Sequence, residues 1–113
     1  MARSKRLKLI WSEDAVNSSK NIIDWYREEL SSRAASKVLS SIKSKAKSII
    51  ANPYSFPVCE ELKDVEGEFR KVLVGNTFWM IYEIESDRIV ILELIHGARD
   101  PEIFNELAKK HSM

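Results

Sequence analysis

The sequence predicts an α+β fold in which two amphipathic helices pack on an antiparallel sheet. Three observations predict it. Residues 68–96 hold three extended segments rich in Val, Ile, Phe, Trp and Tyr, separated by the turn signals Gly75-Asn76 and Ser86-Asp87. Two long segments before them repeat apolar residues at helical spacing. A short alternating stretch at residues 7–11 precedes the helices and predicts one further strand.

The first half of the chain predicts a strand followed by a helical hairpin. Ser12 comes directly after the predicted strand and is a good helix cap, and the acids Glu13 and Asp14 suit the first turn of a helix. We expect the first helix from Ser12 to about Leu30, and a second helix that stops at Asn52-Pro53. Because their connection is very short, the helices should fold back as an antiparallel hairpin whose apolar stripes need a sheet to cover.

The second half predicts a crossing segment, a three-stranded meander and a last helix. Residues 53–67 contain two prolines and several acids, and we expect a loop with little regular structure there. The meander ends at the polar corner His96-Gly97-Ala98-Arg99-Asp100. Pro101 can begin a short helix with Phe104 and Leu107 on one side. The strand at residues 7–11 is expected to complete the meander sheet.

Composition places limits on the class of protein. The length of 113 residues fits a single domain over residues 1–113. Lysine and arginine total 18 against 17 acids, so the net charge of +1 indicates neither a strongly basic protein nor an acidic tail. The single cysteine, Cys59, excludes an internal disulfide and fits the cytoplasm. We expect no membrane segment, no metal site and no cofactor.

The turn signals also predict which residues share a face of the sheet. If both turns have two residues, the side-chain period of two determines the register. One face then carries Phe69, Lys71, Leu73, Phe78, Met80, Tyr82, Ile91, Glu93 and Ile95, and the other carries Arg70, Val72, Val74, Trp79, Ile81, Leu92, Leu94 and His96. Both faces are largely apolar. Since the helical hairpin covers only one, the sequence predicts an apolar face for a partner to bury.

Short motifs along nearly the whole chain resemble one family. They are Trp11-Ser12, Asn52-Pro53, Phe69-Arg70-Lys71-Val72, Ile81-Tyr82 and His96-Gly97-Ala98-Arg99-Asp100. In order and spacing they resemble the RelE/ParE superfamily of bacterial and archaeal toxins. The resemblance implies the toxin half of a type II toxin–antitoxin pair, with growth inhibition or plasmid stabilization as its outcome. It also implies a hetero-oligomer in which the carboxyl-terminal segment of a cognate antitoxin wraps the toxin.

Resemblance to one branch of this superfamily, the RelE-like toxins, implies a metal-independent endoribonuclease. Such an enzyme cuts mRNA on the ribosome with basic residues and a tyrosine. Arg70 and Arg99 match two of those basic positions. Trp79 stands where the nucleases have an arginine, and Phe104 stands at or beside their tyrosine. We expect His96 to substitute in part, because histidine is the side chain best suited to proton transfer near neutral pH. Arg70, His96 and Arg99 are therefore the catalytic candidates if the chain is a nuclease.

The other branch, the ParE-like toxins, implies inhibition of DNA gyrase, a type II topoisomerase, by binding and without catalytic residues. Two features favour this branch. The helical hairpin is long, and Trp79 and Phe104 replace the arginine and the tyrosine of the nucleases. The candidates for contact with the target or the antitoxin are Arg70, Lys71, Trp79, Arg99 and Phe104.

Three alternatives remain open at the level of the sequence. The structural interpretation of Arg99 is an ion pair with Asp100 or Glu102, or hydrogen bonds to exposed carbonyls at the end of the sheet, and that of Arg70 is a solvated charge at the end of a strand. The lysines of the second helix are interpreted as a solvated face, with nucleic-acid contact as the alternative. The chain as a whole is alternatively a non-toxic remnant that still binds an antitoxin.

Overall fold

A computed structural model describes residues 7–75, 77–96 and 102–111. The predicted α+β order of elements is confirmed. The elements are β1 (Lys8–Trp11), α1 (Glu13–Glu29), α2 (Ser32–Ala51), a short 3₁₀ helix (Glu60–Leu62), β2 (Glu68–Val74), β3 (Phe78–Ile84), β4 (Arg88–His96) and α3 (Glu102–His111). In the part of the chain so described, no helix combines the length and the apolar character needed to cross a membrane.

Ser12, at the junction between β1 and α1, forms hydrogen bonds with the middle of β4. The Ser12 hydroxyl accepts a hydrogen bond from the Ala15 amide at 3.0 Å, which caps α1 as the sequence predicted. The same hydroxyl donates to the Leu92 carbonyl at 2.9 Å, and the Ser12 amide donates to the Ile91 carbonyl at 2.9 Å. One residue therefore starts the first helix and sets its position against the sheet.

The four strands form one sheet in the order β1-β4-β3-β2. Strand β1 pairs in parallel with β4, so the expectation that the first strand completes the meander sheet is confirmed. The other pairs are antiparallel. At the β2 edge, the Cys59 amide donates to the Phe69 carbonyl at 2.8 Å and the Lys71 amide donates to the Pro57 carbonyl at 3.0 Å. The crossing segment thus covers part of the edge of β2.

The first turn of the meander has three residues, not the two that were predicted. Val74 pairs directly with Phe78, and the Thr77 amide donates to the Val74 carbonyl at 3.3 Å. Gly75 has a φ of 61°, a left-handed conformation that glycine adopts without the steric cost of a side chain. Since one added residue reverses every side chain of a strand, the predicted faces of β2 were wrong relative to β3.

The second turn has the two residues predicted, Ser86 and Asp87, and the Glu85 amide donates to the Arg88 carbonyl at 2.8 Å. The register shifts farther along β4. Tyr82 pairs with Ile91, whereas Ile81 pairs with Glu93, which leaves Leu92 as an extra residue in a β-bulge. The bulge reverses the remainder of β4, so the predicted faces of its last residues were also wrong.

The two faces of the sheet are defined here by the layers that cover them. The helix face lies under α1 and α2, and the α3 face lies under the crossing segment and α3. The helix face carries Arg70, Val72, Val74, Phe78, Met80, Tyr82, Ile84, Ile89, Ile91, Leu94 and His96. The α3 face carries Phe69, Lys71, Leu73, Trp79, Ile81, Glu83, Val90, Leu92 and Ile95.

Both faces are buried by the chain itself. Ala15, Ile42 and Ile49 of the helical hairpin pack on the helix face. Leu62 and Leu107 are 1% and 3% exposed and belong to the apolar cluster on the α3 face. The prediction of an apolar face left for a partner was therefore wrong. The crossing segment, which was expected to have little regular structure, contains the 3₁₀ helix and supplies part of the missing cover.

The buried position of Leu107 yields a stability prediction. We expect Leu107→Ala to lower the free energy of unfolding by about 3 kcal/mol, because it opens a cavity between α3 and the sheet. The exposed Lys109 on the same helix is a matched control, and Lys109→Ala should change stability by less than about 0.5 kcal/mol. Urea denaturation followed by circular dichroism measures both. Equal midpoints for Leu107→Ala and the wild type would contradict the packing of α3 on the sheet.

Candidate functional site

Arg70 lies on the helix face and is held by the segment before the 3₁₀ helix. Its guanidinium donates to the Phe56 carbonyl at 2.8 Å and the Tyr54 carbonyl at 3.2 Å. It forms an ion pair with Glu68 at 2.6 Å and lies 5.4 Å from the centre of the Tyr54 ring. Its side chain is only 18% exposed. These contacts fasten residues 54–56 to the sheet, beside the hydrogen bond of 2.6 Å that Tyr82 donates to the Pro53 carbonyl.

Lys71 and Trp79 form a second cluster on the α3 face. The Lys71 ammonium lies 4.5 Å from the centre of the Trp79 ring, a cation–π arrangement. It also donates to both carboxylate oxygens of Glu61 at 3.1 Å. Burial opposes ionisation of Glu61, but hydrogen bonds from its own amide and from Lys71 outweigh burial, so its pKa lies below the ordinary value. Trp79 is half-buried and offers part of its ring at the surface.

His96 lies at the end of β4 beside an open apolar cavity of about 450 Å³. The cavity is lined by Asn21, Ile22, Trp25, Tyr26, Thr77, Phe78 and His96. Its aromatic rings contact one another edge to face, with centroid distances of 5.3 Å for Trp25 and Tyr26, 6.1 Å for Tyr26 and Phe78, and 5.6 Å for Phe78 and His96. His96 therefore belongs to an aromatic cavity between α1 and the end of the sheet.

The structure separates two of the catalytic candidates, Arg70 and His96, from each other. Arg70 pairs with Tyr82 and His96 pairs with Phe78, four residues farther along β3 and on its other side. With about 3.4 Å per residue and about 4.8 Å between strands, their Cα atoms lie about 17 Å apart. Lys71 points to the opposite face of the sheet. The remaining candidate, Arg99, lies outside the described residues.

Phe104, the last of the predicted binding residues, lies on α3. It is half-buried and packs against the apolar cluster of the α3 face, to which Trp79 also belongs. The structure thus brings Lys71, Trp79 and Phe104 to one face of the sheet, whereas Arg70 and His96 lie on the other.

Sequence reasoning missed the aromatic cavity and the contacts of Arg70. Trp25 is 56% exposed and lines the cavity, and the available signal was a tryptophan outside the apolar stripe of the first helix. The Tyr54 and Phe56 carbonyls have no such signal. Backbone oxygens that are 14 and 16 residues away in a loop come next to Arg70 only through the tertiary fold.

The only cysteine is buried in the core of the α3 face. Cys59 is 0% exposed, and burial, with the nearby Glu61 carboxylate, raises the pKa of its thiol to about 11. Its sulfur lies 3.5 Å from a Glu61 oxygen. A thiol that is buried and protonated at neutral pH is a packing group, because the thiolate is the reactive form.

The sheet, the helical hairpin and the covering α3 together define the RelE/ParE-like class of toxin fold. The sequence profile of the family described as "ParE toxin of type II toxin-antitoxin system, parDE" matches residues 9–101. Because this match spans most of the chain, the protein belongs to that family of ParE toxins. A search among curated protein sequences returns no significant match.

Two solved structures illustrate the likeness of this fold to known structures. One is the chromosomal ParDE TA system from P. aeruginosa, with a TM-score of 0.67 and 21% identity over 82% of this chain and 98% of that chain. The other is the YoeB dimer from Staphylococcus aureus, with a TM-score of 0.55 and 20% identity over 80% of this chain and 97% of that chain. At these identities the likeness concerns the fold.

The contacts of Arg70 yield a stability prediction. We expect Arg70→Ala to lower the free energy of unfolding by about 2 kcal/mol, because it removes charge-assisted hydrogen bonds to Glu68 and to the Tyr54 and Phe56 carbonyls. Arg27→Ala is the control, since the Arg27 and Asp24 side chains of that ion pair are 53% and 44% exposed, and it should cost less than about 0.5 kcal/mol. Thermal denaturation compares the two variants. Similar small losses in both would contradict a fastening role for Arg70.

The environment of Cys59 predicts slow chemical modification. Since its pKa is raised from 9.0 to about 11, the thiolate fraction at pH 8 should fall about a hundredfold, and burial slows the reaction further. We expect iodoacetamide to label the folded protein at least about a hundredfold more slowly than the same protein in urea. Mass spectrometry follows the labelling. Rates that differ by less than tenfold would show that Cys59 is accessible.

Proposed function

We propose that this ParE-family chain is a cytoplasmic toxin that acts by binding and inhibiting DNA gyrase, and that a cognate antitoxin neutralises it in a hetero-oligomer. The observation that carries the proposal is the match to the ParE toxin family over residues 9–101. The likeness to the ParDE system supports an antitoxin partner. Inhibition by binding requires a complementary surface on the toxin and no catalytic group.

The positions of the basic side chains support binding over catalysis. Cleavage of RNA at the ribose 2′-hydroxyl needs a base, an acid and a charge-stabilising group that converge on one phosphate. Arg70 and His96 lie about 17 Å apart by strand geometry, and Lys71 points to the other face. Both Arg70 and Lys71 are also engaged with carboxylates of the chain itself.

The cluster of Lys71 and Trp79 is the binding surface that we favour among the predicted residues. Tryptophan and arginine are the side chains that most often dominate binding energy at protein interfaces. Trp79 is half-buried, so a partner can cover the remainder of its ring without exposing the core. We propose that Trp79, with Lys71 and Phe104 on the same face, contacts the antitoxin or the target, and that Arg70 and Arg99 contribute positive charge to binding.

A RelE-like ribonuclease is the second candidate, and one observation favours it. His96 is exposed and lines an open cavity that also contains the polar side chains of Asn21 and Thr77. A general acid or base needs such access to a substrate. In this alternative Arg99, three residues after His96 in the chain, provides the positive charge for His96, and Arg70, about 17 Å away, takes no part.

Paired assays with the purified full-length chain distinguish the two functions. We expect the wild type to inhibit gyrase supercoiling of plasmid DNA, and to produce no new mRNA ends in primer extension on a translated message. His96→Gln should retain inhibition, because this mechanism needs no proton transfer. Trp79→Ala should weaken gyrase inhibition or antitoxin binding at least tenfold through loss of an interface anchor, with circular dichroism as the check that the variant folds.

Each contrary result points to one alternative. New mRNA ends that disappear in His96→Gln would identify a ribonuclease and refute gyrase inhibition if supercoiling is also unaffected. A chain without effect in both assays, and without growth arrest when expressed apart from its antitoxin, would be a non-toxic antitoxin-binding remnant. Growth arrest that Arg99→Ala abolishes would exclude that third possibility.

A further inference from the structure

The outer side of α2 has an unusual composition. The buried residues of this helix are Ala35, Ile42, Ala46 and Ile49, and Ile42 and Ile49 belong to the apolar cluster of the helix face. Between Ser32 and Lys47, the exposed residues of α2 are Ser32, Arg33, Ser36, Lys37, Leu39, Ser40, Lys43, Ser44 and Lys47. They comprise four cations, four serines and one leucine, without any acid. The whole chain has a net charge of only +1, so positive charge is concentrated on this helix.

The stability of the helix does not explain this arrangement. Arg33 lies in the first turn, where the helix dipole disfavours a cation, and that turn contains no acid. Arg33 and Lys37, and also Lys43 and Lys47, are like charges four residues apart, a spacing at which like charges repel. Among the described residues, none of these four cations forms an ion pair.

The chemistry of the exposed side chains indicates the class of ligand. Lysine, arginine and serine are side chains that proteins use to contact the phosphate oxygens of nucleic acids. A protein partner would require aromatic or large apolar anchors, and Leu39 at the border of the surface is the only large apolar residue among the exposed ones of α2. Single strands are bound by stacking on aromatic rings, and α2 contains no aromatic residue. A duplex backbone therefore fits best.

We propose that the outer side of α2 binds the phosphate backbone of duplex DNA without sequence preference. The choice of DNA over duplex RNA rests on the proposed function, since gyrase acts on DNA and a toxin bound beside it would meet the same duplex. Arg33 and Lys47 are 14 residues apart, so the cations span about 21 Å of helix. Because duplex DNA carries one charge per about 1.7 Å of its axis, a stretch of this length reaches several phosphates.

Fluorescence anisotropy with a labelled random-sequence DNA duplex and the full-length chain, without gyrase, tests the proposal over a range of salt concentrations. We expect binding whose logarithm falls linearly with the logarithm of salt. Lys37→Gln/Lys47→Gln should lower the magnitude of that slope by about 2, since each lysine contributes about one released counterion. Glutamine forms helices about as well as lysine, so the variant should fold.

The matched control removes the same charge from the other side of the sheet. Lys63 and Lys109 are exposed beside the 3₁₀ helix and on α3, and Lys63→Gln/Lys109→Gln should keep the wild-type slope. Equal slopes for all three proteins, or equal losses in both double variants, would overturn the proposal. Tighter binding to duplex RNA of the same length would overturn the assignment to DNA. Gyrase is absent from this assay, so a lack of DNA binding would not contradict gyrase inhibition. Conversely, a lack of inhibition in the supercoiling assay would not change the DNA binding measured here.

Discussion

The rest of the structure depends on one constraint, which is that the sheet is apolar on both faces and both must be buried. Met80 and Tyr82 of β3 pack toward the helices, whereas Ile81 between them packs toward α3, and all three are 0% exposed. Apolar surface left in water is costly at about 25 cal/mol per Å². The chain therefore needs two covering layers, a helical hairpin on one face and the crossing segment with α3 on the other.

The two layers differ in what they leave available for partners. The helix face is closed by long helices, and an apolar cavity opens at its end, beside His96. The α3 face is closed by shorter pieces, and the half-buried Trp79 with its Lys71 and Glu61 neighbours lies there. The outer side of α2 is a third surface, made of cations and serines. Inhibition by binding can use such separate surfaces, whereas catalysis requires groups that converge on one point.

Much of the fold followed from local sequence signals, and the candidate site followed from them to a smaller extent. Ser12 as a helix cap, the end of α2 at Asn52-Pro53 and the two-residue turn at Ser86-Asp87 were predictable, because each depends on a few neighbouring residues. The faces of the sheet were not. A three-residue turn after Val74 and a bulge at Leu92 each shift the register by one residue, and the sequence carries no clear signal for either.

By itself the sequence determined the order of elements, the α+β class and the resemblance to the RelE/ParE superfamily, because propensity, capping and periodicity are local properties. Only the tertiary structure decided that α3 covers the second face, that Arg70 fastens residues 54–56 and that Lys71 stacks on Trp79. These outcomes depend on register and on which distant segments meet. A shift of one residue exchanges the two faces of a strand, and the role of a side chain follows from the face on which it lies.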